Sequence, residues 1–378
     1  MIVRLYPARL TGTVAAPDSK SAWHRALICR YLASQPLPNR LSGDDVSATL
    51  AGLRTLARGG KTIDCGASGT TLRFLLPLAM AQGRVGLRFT GTSRLLDRPL
   101  SAPYPVTREE DGYRITAPLT PGRYTLRGDE TSQTVSGLLL ALPLLSAPSE
   151  IELTTPLVSR PYVDMTLDAL TRHGVMVRPV ENGWHIPAPQ PFLPCDAPVE
   201  GDWSAAGWWL TVSALQGGGV AVSGLSASSR QSDRAITRYL EALPRTVDIS
   251  QTPDLLPTLA LLAAMTPQTT RFTGGAFLRR KESDRLHAVA AVLSALGAEA
   301  AEQPDGLTIT GGRPLSGGVT VDAFGDHRIA MLCACAALFC RAPITLLGGE
   351  CVSKSYRNFW RDYAALGGKV EELHENGG

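Results

Sequence analysis

The chain has 378 residues, of which 44% are hydrophobic and 19% charged, with a formal net charge of +3. That is enough for two or three domains, and it excludes a coiled coil, a single small module and a disordered chain. The longest uninterrupted apolar stretch, Ile329 to Cys340, is too short to span a bilayer, and no Lys/Arg block marks a nucleic-acid partner.

The first dozen residues lack the apolar core of an export signal, so a cytoplasmic protein acting on small anions is expected, with neither membrane nor nucleic acid as partner. Seven cysteines at 29, 65, 195, 333, 335, 340 and 351 include no CxxC pair, and four lie in apolar helical runs. Buried reduced thiols are expected, and no metal. Only five of the 37 basic residues are Lys, at 20, 61, 281, 354 and 369. A Lys kept in so Arg-rich a chain suits a place that needs a compact, deprotonatable ammonium.

Twelve segments of two kinds then alternate along the chain. PDSKSAWHRALICRYLA (17–33) is a small polar head followed by a helix apolar nearly all round, and NRLSGDDVSATLAGLRTLARGGKTI (39–63) is a polar loop, an amphipathic helix and a short strand. GASGTTLRFLLPLAMA (66–81) repeats the first kind. GLRFTGTSRLLDRPL (86–100) repeats the second, but SAPYPVTREEDGYRI follows where the amphipathic helix is expected. The pairs continue as 129–145 with 151–177, 200–215 with 220–243, 252–265 with 270–300, and 325–339 with 344–370.

A repeat of about 60 residues with one buried helix, one amphipathic helix and several strands implies sheets wrapped around a helical core. Six repeats are too many for one core, so two domains of three are expected. If the buried helices run parallel, their heads converge on one face and offer unpaired N–H groups to an anion. Taken singly, each head reads equally well as an N-cap. Lys20, Arg25, Arg73 and Arg328 add positive charge that capping does not require.

Four head or loop motifs are candidates for chemistry; for the first three an ordinary helix start or a solvated loop is the rival reading, and for the fourth function outweighs it. Gly66-Ala-Ser-Gly-Thr-Thr71 before an apolar helix suits phosphate, though weakly on its own. Lys20, Ser21 and Arg25 place a cation, a hydroxyl and a guanidinium within two helical turns. Arg279 to Arg285 sets four cations around two carboxylates. Asp326-His327-Arg328 puts three polar groups at the mouth of a buried helix.

In this order, and with DSKSAWHRAL (18–27), GASGTTLR (66–73), LDRPL (96–100), TSQ (131–133), SRPYVDMT (159–166), EGDWSAA (200–206), PDLLP (253–257), RRKESDRL (279–286), GDHRIAM (325–331) and CVSKSY (351–356), the chain resembles the 5-enolpyruvylshikimate-3-phosphate synthase family of enolpyruvyl transferases. The resemblance covers nearly the whole chain. It implies an α/β fold, a two-domain inside-out α/β barrel with three βαβαββ units around buried parallel helices in each domain, the second unit here being truncated. The expected domains are 1–18 with 232–378, and 19–231, closing on the substrates in a cleft between them.

The reaction implied is transfer of the enolpyruvyl group of phosphoenolpyruvate to the 5-hydroxyl of shikimate 3-phosphate, with release of phosphate, by a monomer without metal or organic cofactor. Catalytic roles fall on Lys20, Asp254, Glu282 and His327. Asp254 would accept the hydroxyl proton, Glu282 would handle the methylene proton, and Lys20 would touch both substrates. Shikimate 3-phosphate would meet Lys20, Ser21, Arg25, Thr131, Ser132, Gln133, Ser159, Tyr162, Asp254 and Lys281. Phosphoenolpyruvate would meet Lys20, Gly69, Arg98, Gln133, Arg285, Arg328 and Lys354.

The sequence departs from the family at Ala67, where only backbone groups remain, at Phe277, which removes a substrate hydrogen bond, at Arg357, where Pro is frequent, and after Leu100. Two rival readings stand beside the main one. A related transferase moves enolpyruvyl to a UDP-linked amino sugar, but that family uses a cysteine in an Arg-rich loop, a setting no cysteine has here. An impaired relative that only binds anions would not need the proton-transfer carboxylates.

Overall fold

The computed structural model describes residues 1–100, 102 and 104–373. The chain forms two compact units, Met1–Pro17 with everything from Glu200 onward, and Asp18–Val199. The chain passes between the units at Pro17/Asp18 and at Val199/Glu200, beside the expected division at 18/19 and 231/232. The reason is packing. Helix Trp203–Leu215 packs on helices Leu256–Met265 and His327–Ala337, and strand Val220–Ser223 pairs in parallel with Gly12–Ala15. A return at Glu200 also leaves three buried helices in each unit.

The unit Asp18–Val199 is built around Lys20–Leu32, Gly69–Ala81 and Ser132–Ala141. Every residue from Thr71 to Met80 is buried, as a helix apolar on all faces must be. Pro77 lies inside that helix and cannot donate to the carbonyl of Arg73 one turn earlier. Gly137 of the neighbouring helix closes on that carbonyl, and a Cβ there would stand 2.0 Å from the Arg73 oxygen. Amphipathic helices Asp44–Ala57 and Arg160–Arg172 pack on this core.

Two four-stranded sheets complete the unit, Thr62–Asp64, Arg88–Thr90, Gly112–Ile115, Val106–Glu109 and Arg123–Leu126, Ser149–Leu153, Gly183–Ile186, Arg178–Val180 in spatial order. In each, the first pair is parallel and the rest antiparallel. The remaining repeat, 17–63, gives two helices and the strand Thr62–Asp64, which joins the first of these sheets, so among the described residues it adds no sheet of its own to this unit. Where the amphipathic helix was expected to be missing there is only the single turn Ser93–Leu96. Leu95, Leu96 and Tyr104 are nonetheless buried against the core. Ser101 and Pro103 of that segment lie outside the described residues.

The other unit repeats the plan. Its sheets run Thr246–Asp248, Thr269–Thr273, Gly306–Thr310, Glu299–Gln303 and Thr320–Asp322, Ile344–Leu347, Ile2–Tyr6, Lys369–Leu373, with Gly12–Ala15 and Val220–Ser223 as a third, two-stranded sheet. Three of the four-stranded sheets share a hairpin at Asp111-Gly112, Asn182-Gly183 or Asp305-Gly306, the dipeptides that tight hairpins favour. A Cβ on these glycines would lie 1.9, 1.8 and 1.8 Å from the carbonyl oxygens of Phe89, Ile151 and Phe272. In the fourth sheet the N-terminal strand Ile2–Tyr6 fills the corresponding place.

Candidate active site

Five of the six heads are N-caps. Ser19, Ser68, Thr131, Asp202 and Asp326 each accept a hydrogen bond from a backbone N–H in the first turn of their helix. Capping and function therefore share these residues. Around them each unit assembles its own polar cluster.

In Asp18–Val199 the Lys20 ammonium lies 2.8 Å from Asp45, a buried carboxylate on the amphipathic helix that follows. Arg25 is buried and donates from Nε to Thr166 at 2.8 Å and from its two amino groups to the carbonyls of Ser21 and Tyr162. Burial lowers its guanidinium to about 10, which leaves it charged at neutral pH. Each of its three nitrogens is thus committed to protein.

At the head of Gly69–Ala81, two guanidinium groups meet one bare Cα. A Cβ on Gly69 would lie 2.8 Å from Arg73 and 2.9 Å from Arg98. Arg73 donates to the Pro99 carbonyl at 2.7 Å and to Gln133 at 3.3 Å, and Gln133 in turn donates to Thr70 at 3.0 Å. Arg98 makes no ion pair with a carboxylate among the described residues. Two cations at a helix N-terminus create a field suited to a small dianion. Ser132 and Ser159 are buried, and the Ser159 hydroxyl has no hydrogen-bond partner.

Below this head runs a buried polar chain that the sequence did not reveal. His24 Nδ1 lies 2.8 Å from the Thr49 hydroxyl, Thr49 lies 2.7 Å from that of Thr71, and Thr71 donates to Ser68 at 2.8 Å. Burial, with Lys20 and Arg25 adding to it against Asp45, lowers the His24 imidazole to about 3 and keeps it neutral.

The second cluster is an ion network around Arg285, which is 1% exposed. Its nitrogens reach Asp254 at 2.8 Å, Glu282 at 2.8 Å and Asp326 at 3.0 Å. Arg328 holds the other Asp254 oxygen at 2.8 Å, and Lys354 lies 3.4 Å from Glu282. Segments far apart in sequence thus bring two of the expected catalytic carboxylates and three of the expected cations together. Burial raises the Asp254 carboxyl, but Arg328, Arg285 and Lys281 outweigh it and hold Asp254 well below the usual carboxylate range.

Lys281 also stands 5.5 Å over the ring of Phe277, which is buried. Phe277 is therefore a core residue and a cation–π platform as well as a missing hydrogen-bond donor. His327 is buried, with Nδ1 3.8 Å from Asp326. Cys351 is half-buried, and burial together with Asp326 and Glu350 pushes its thiol up to about 12. Among the described residues no group of three or more His, Cys, Asp or Glu is arranged to hold a metal ion.

Sequence reasoning passed over Asp45, Asp233 and Ser204, each of which has a partner 25 or more residues away. The one signal for Asp45 was the Asp-Asp pair opening an amphipathic helix, which reads as ordinary dipole complementation.

The sequence model of the family described as EPSP synthase (3-phosphoshikimate 1-carboxyvinyltransferase) matches residues 57–246 and 241–363. A 3-phosphoshikimate 1-carboxyvinyltransferase of Clostridium kluyveri is 38% identical over 421 aligned positions covering 98% of each chain, and one of Clostridium acetobutylicum is 36% identical over 98% of each. Because 421 aligned positions exceed 378 residues, the Clostridium kluyveri alignment includes positions with no counterpart here, in keeping with the trimmed repeats. Among solved structures, the EPSP synthase from Acinetobacter baumannii shares the fold at a TM-score of 0.77 and 21% identity, covering 99% of this chain and 100% of that one. The enolpyruvyl transferase NikO from Streptomyces tendae does so at 0.72 and 17%, covering 98% of each. Sequence and fold agree that this chain belongs to the EPSP synthase family.

Proposed function

We propose that the protein transfers the enolpyruvyl group of phosphoenolpyruvate to the 5-hydroxyl of shikimate 3-phosphate and releases phosphate. The observation that carries this reading is the Arg285 network, in which Asp254 and Glu282 are fixed by one guanidinium beside Arg328 and Lys354. A protein that merely bound anions would gain nothing from two carboxylates among its cations.

The chemistry needs a base at the hydroxyl and a group that first gives and then removes a proton at the methylene carbon. In the addition step the hydroxyl oxygen bonds to C2 of phosphoenolpyruvate, its proton passes to Asp254, and Glu282 protonates C3. In the elimination step Glu282 takes a proton back from C3, the double bond re-forms, the C2–O bond to phosphate breaks, and the released phosphate carries off the proton that Asp254 had taken.

Asp254 is a weak base while both Arg285 and Arg328 face it. An anionic substrate that takes up Arg328 loosens that hold and raises the basicity of Asp254 when it is needed. Lys20, Gly69, Arg98, Gln133 and Lys354 are assigned to phosphoenolpyruvate with Arg328. Ser21, Thr131, Ser132, Ser159, Tyr162 and Lys281 are assigned to shikimate 3-phosphate. Arg25 is assigned to shikimate 3-phosphate and Arg285 to phosphoenolpyruvate; each also fixes the protein groups around it through its three nitrogens, with two of its five N–H donors left for a ligand. His327 supports Asp326 at the mouth of its helix.

The alternative transfer to a UDP-linked amino sugar calls for a reactive cysteine, and a Cys351 thiol held near 12 stays protonated at neutral pH. The test is phosphate release by purified protein given both substrates, with Glu282→Gln alongside. Release by the wild type and its loss, by at least about a thousandfold, in the variant is the expected result. Folded wild-type protein that releases no phosphate overturns the reading.

A further inference from the structure

Asp233 is buried in the short turn Ser232–Ala235 and takes no part in the steps above. The Ser232 hydroxyl donates to its Oδ1 at 3.2 Å, and the Ser204 side chain hydrogen-bonds to it as well. Ser204 opens the buried helix Trp203–Leu215 and also takes a short hydrogen bond from an amino group of Arg328. Arg carries donors only, so Ser204 must accept from Arg328, and its single proton is left for Asp233. The polarity of the chain Arg328, Ser204, Asp233 is therefore fixed.

The charged groups that act on Asp233 include the carboxylates of Asp254 and Asp202 and the guanidinium of Arg328. The neighbouring Arg234 is turned to the carbonyl of Ala227. Asp233 and Asp254 thus compete for the same guanidinium, Asp254 by direct contact and Asp233 through Ser204.

We propose that Asp233 is a positioning residue that holds Arg328 through Ser204 and, by its charge, sets how strongly that guanidinium takes an anionic group of the substrate. The inference rests on the assignment of Arg328 to phosphoenolpyruvate. Burial, then the nearby Asp254, push the Asp233 carboxyl up to about 7 against the pull of Arg328, so its charge changes within the working range of the protein. Below that pH Asp233 is neutral and its pull on Arg328 through Ser204 is weakest, so the guanidinium can turn more readily toward the ligand. Above it, an ionised Asp233 claims Arg328 and repels the incoming anion, so affinity for phosphoenolpyruvate falls.

Asp233→Asn keeps an acceptor for Ser204 and removes the charge. The experiment is the KM for phosphoenolpyruvate of both proteins from about pH 6 to about pH 8.5. The ratio of wild-type to variant KM is expected to rise from near one to about threefold or more, with the change in KM larger than that in kcat. A ratio that stays flat across this range overturns the charge-tuning role, since a merely structural residue would shift KM equally at every pH. Ser204→Ala cuts the chain at its middle and serves if the first variant does not fold. It is expected to raise KM about threefold or more at every pH, and an unchanged KM overturns the positioning role. Wild-type protein without turnover would instead refute the transferase reading, so the two failures are distinct.

Discussion

Gly69 is the residue at which the absence of a side chain has the clearest consequence. The nearest atoms to an added Cβ are the tips of Arg73 and Arg98, and both can swing. Gly69→Ala should therefore fold normally while displacing the two guanidinium groups that face the proposed phosphoenolpyruvate site. A KM for phosphoenolpyruvate raised about tenfold, equivalent to about 1.4 kcal/mol, is expected in steady-state kinetics. An unchanged KM would place the ligand elsewhere. Phe277 shows where residue-level reading stops. Its departure from the family was visible in the sequence, but its burial and the seat of Lys281 over its ring, four residues on, were not. Phe277→Asn exchanges a buried ring for a shorter polar group and should destabilise its unit by about 3 kcal/mol in urea titration, with no gain in affinity for shikimate 3-phosphate. An equally stable variant that binds this substrate more tightly would show that the ring only blocks a site.

Among whole elements, the buried helices were legible because a helix apolar on every face has only one place to go. The three hairpin glycines were also written in the sequence, as Asp-Gly or Asn-Gly between alternating residues, and were passed over in favour of the helical repeat. That one repeat adds no sheet of its own among the described residues was not legible, since a missing strand leaves no pattern. The contact between Gly137 and the Arg73 carbonyl is likewise invisible without coordinates. Gly137→Ala would force the two helices apart and should cost about 3 kcal/mol, read by chemical denaturation, and full stability would mean that the helices can separate freely.

His24 gives this core a pH dependence. Its folded value of about 3 lies below the ordinary 6.5, so below pH 6.5 the unfolded chain binds a proton that the folded chain refuses. Stability is lost as pH falls from 6.5 toward 3, by about 1.4 kcal/mol per unit at most. Urea unfolding at about pH 4.5 should therefore show a wild-type deficit, relative to neutral pH, about 2 kcal/mol larger than that of His24→Asn. Equal deficits would mean that the imidazole is protonated in the fold.

At the scale of the molecule, the repeat count gave two units of three buried helices, but the points at which the chain passes between them are not written in the repeats. At the second of them EGDWSAA looks the same whichever unit claims it, and only the packing of Trp203–Leu215 decides. The site divides the same way. Residue types and order gave the family, while the partners that fix each side chain, Asp45 for Lys20 and Ser204 for Arg328, come from long-range folding.

The strand Ile2–Tyr6 lies between Ile344–Leu347 and Lys369–Leu373, paired with both. Ile2–Tyr6 therefore has no partner until a strand more than 300 residues further along has been made, at about 5–20 residues per second. The inserted unit Asp18–Val199 has all its own strands long before then. During biosynthesis the inserted unit is thus complete while the strand Ile2–Tyr6 still waits, unpaired, for its two neighbours.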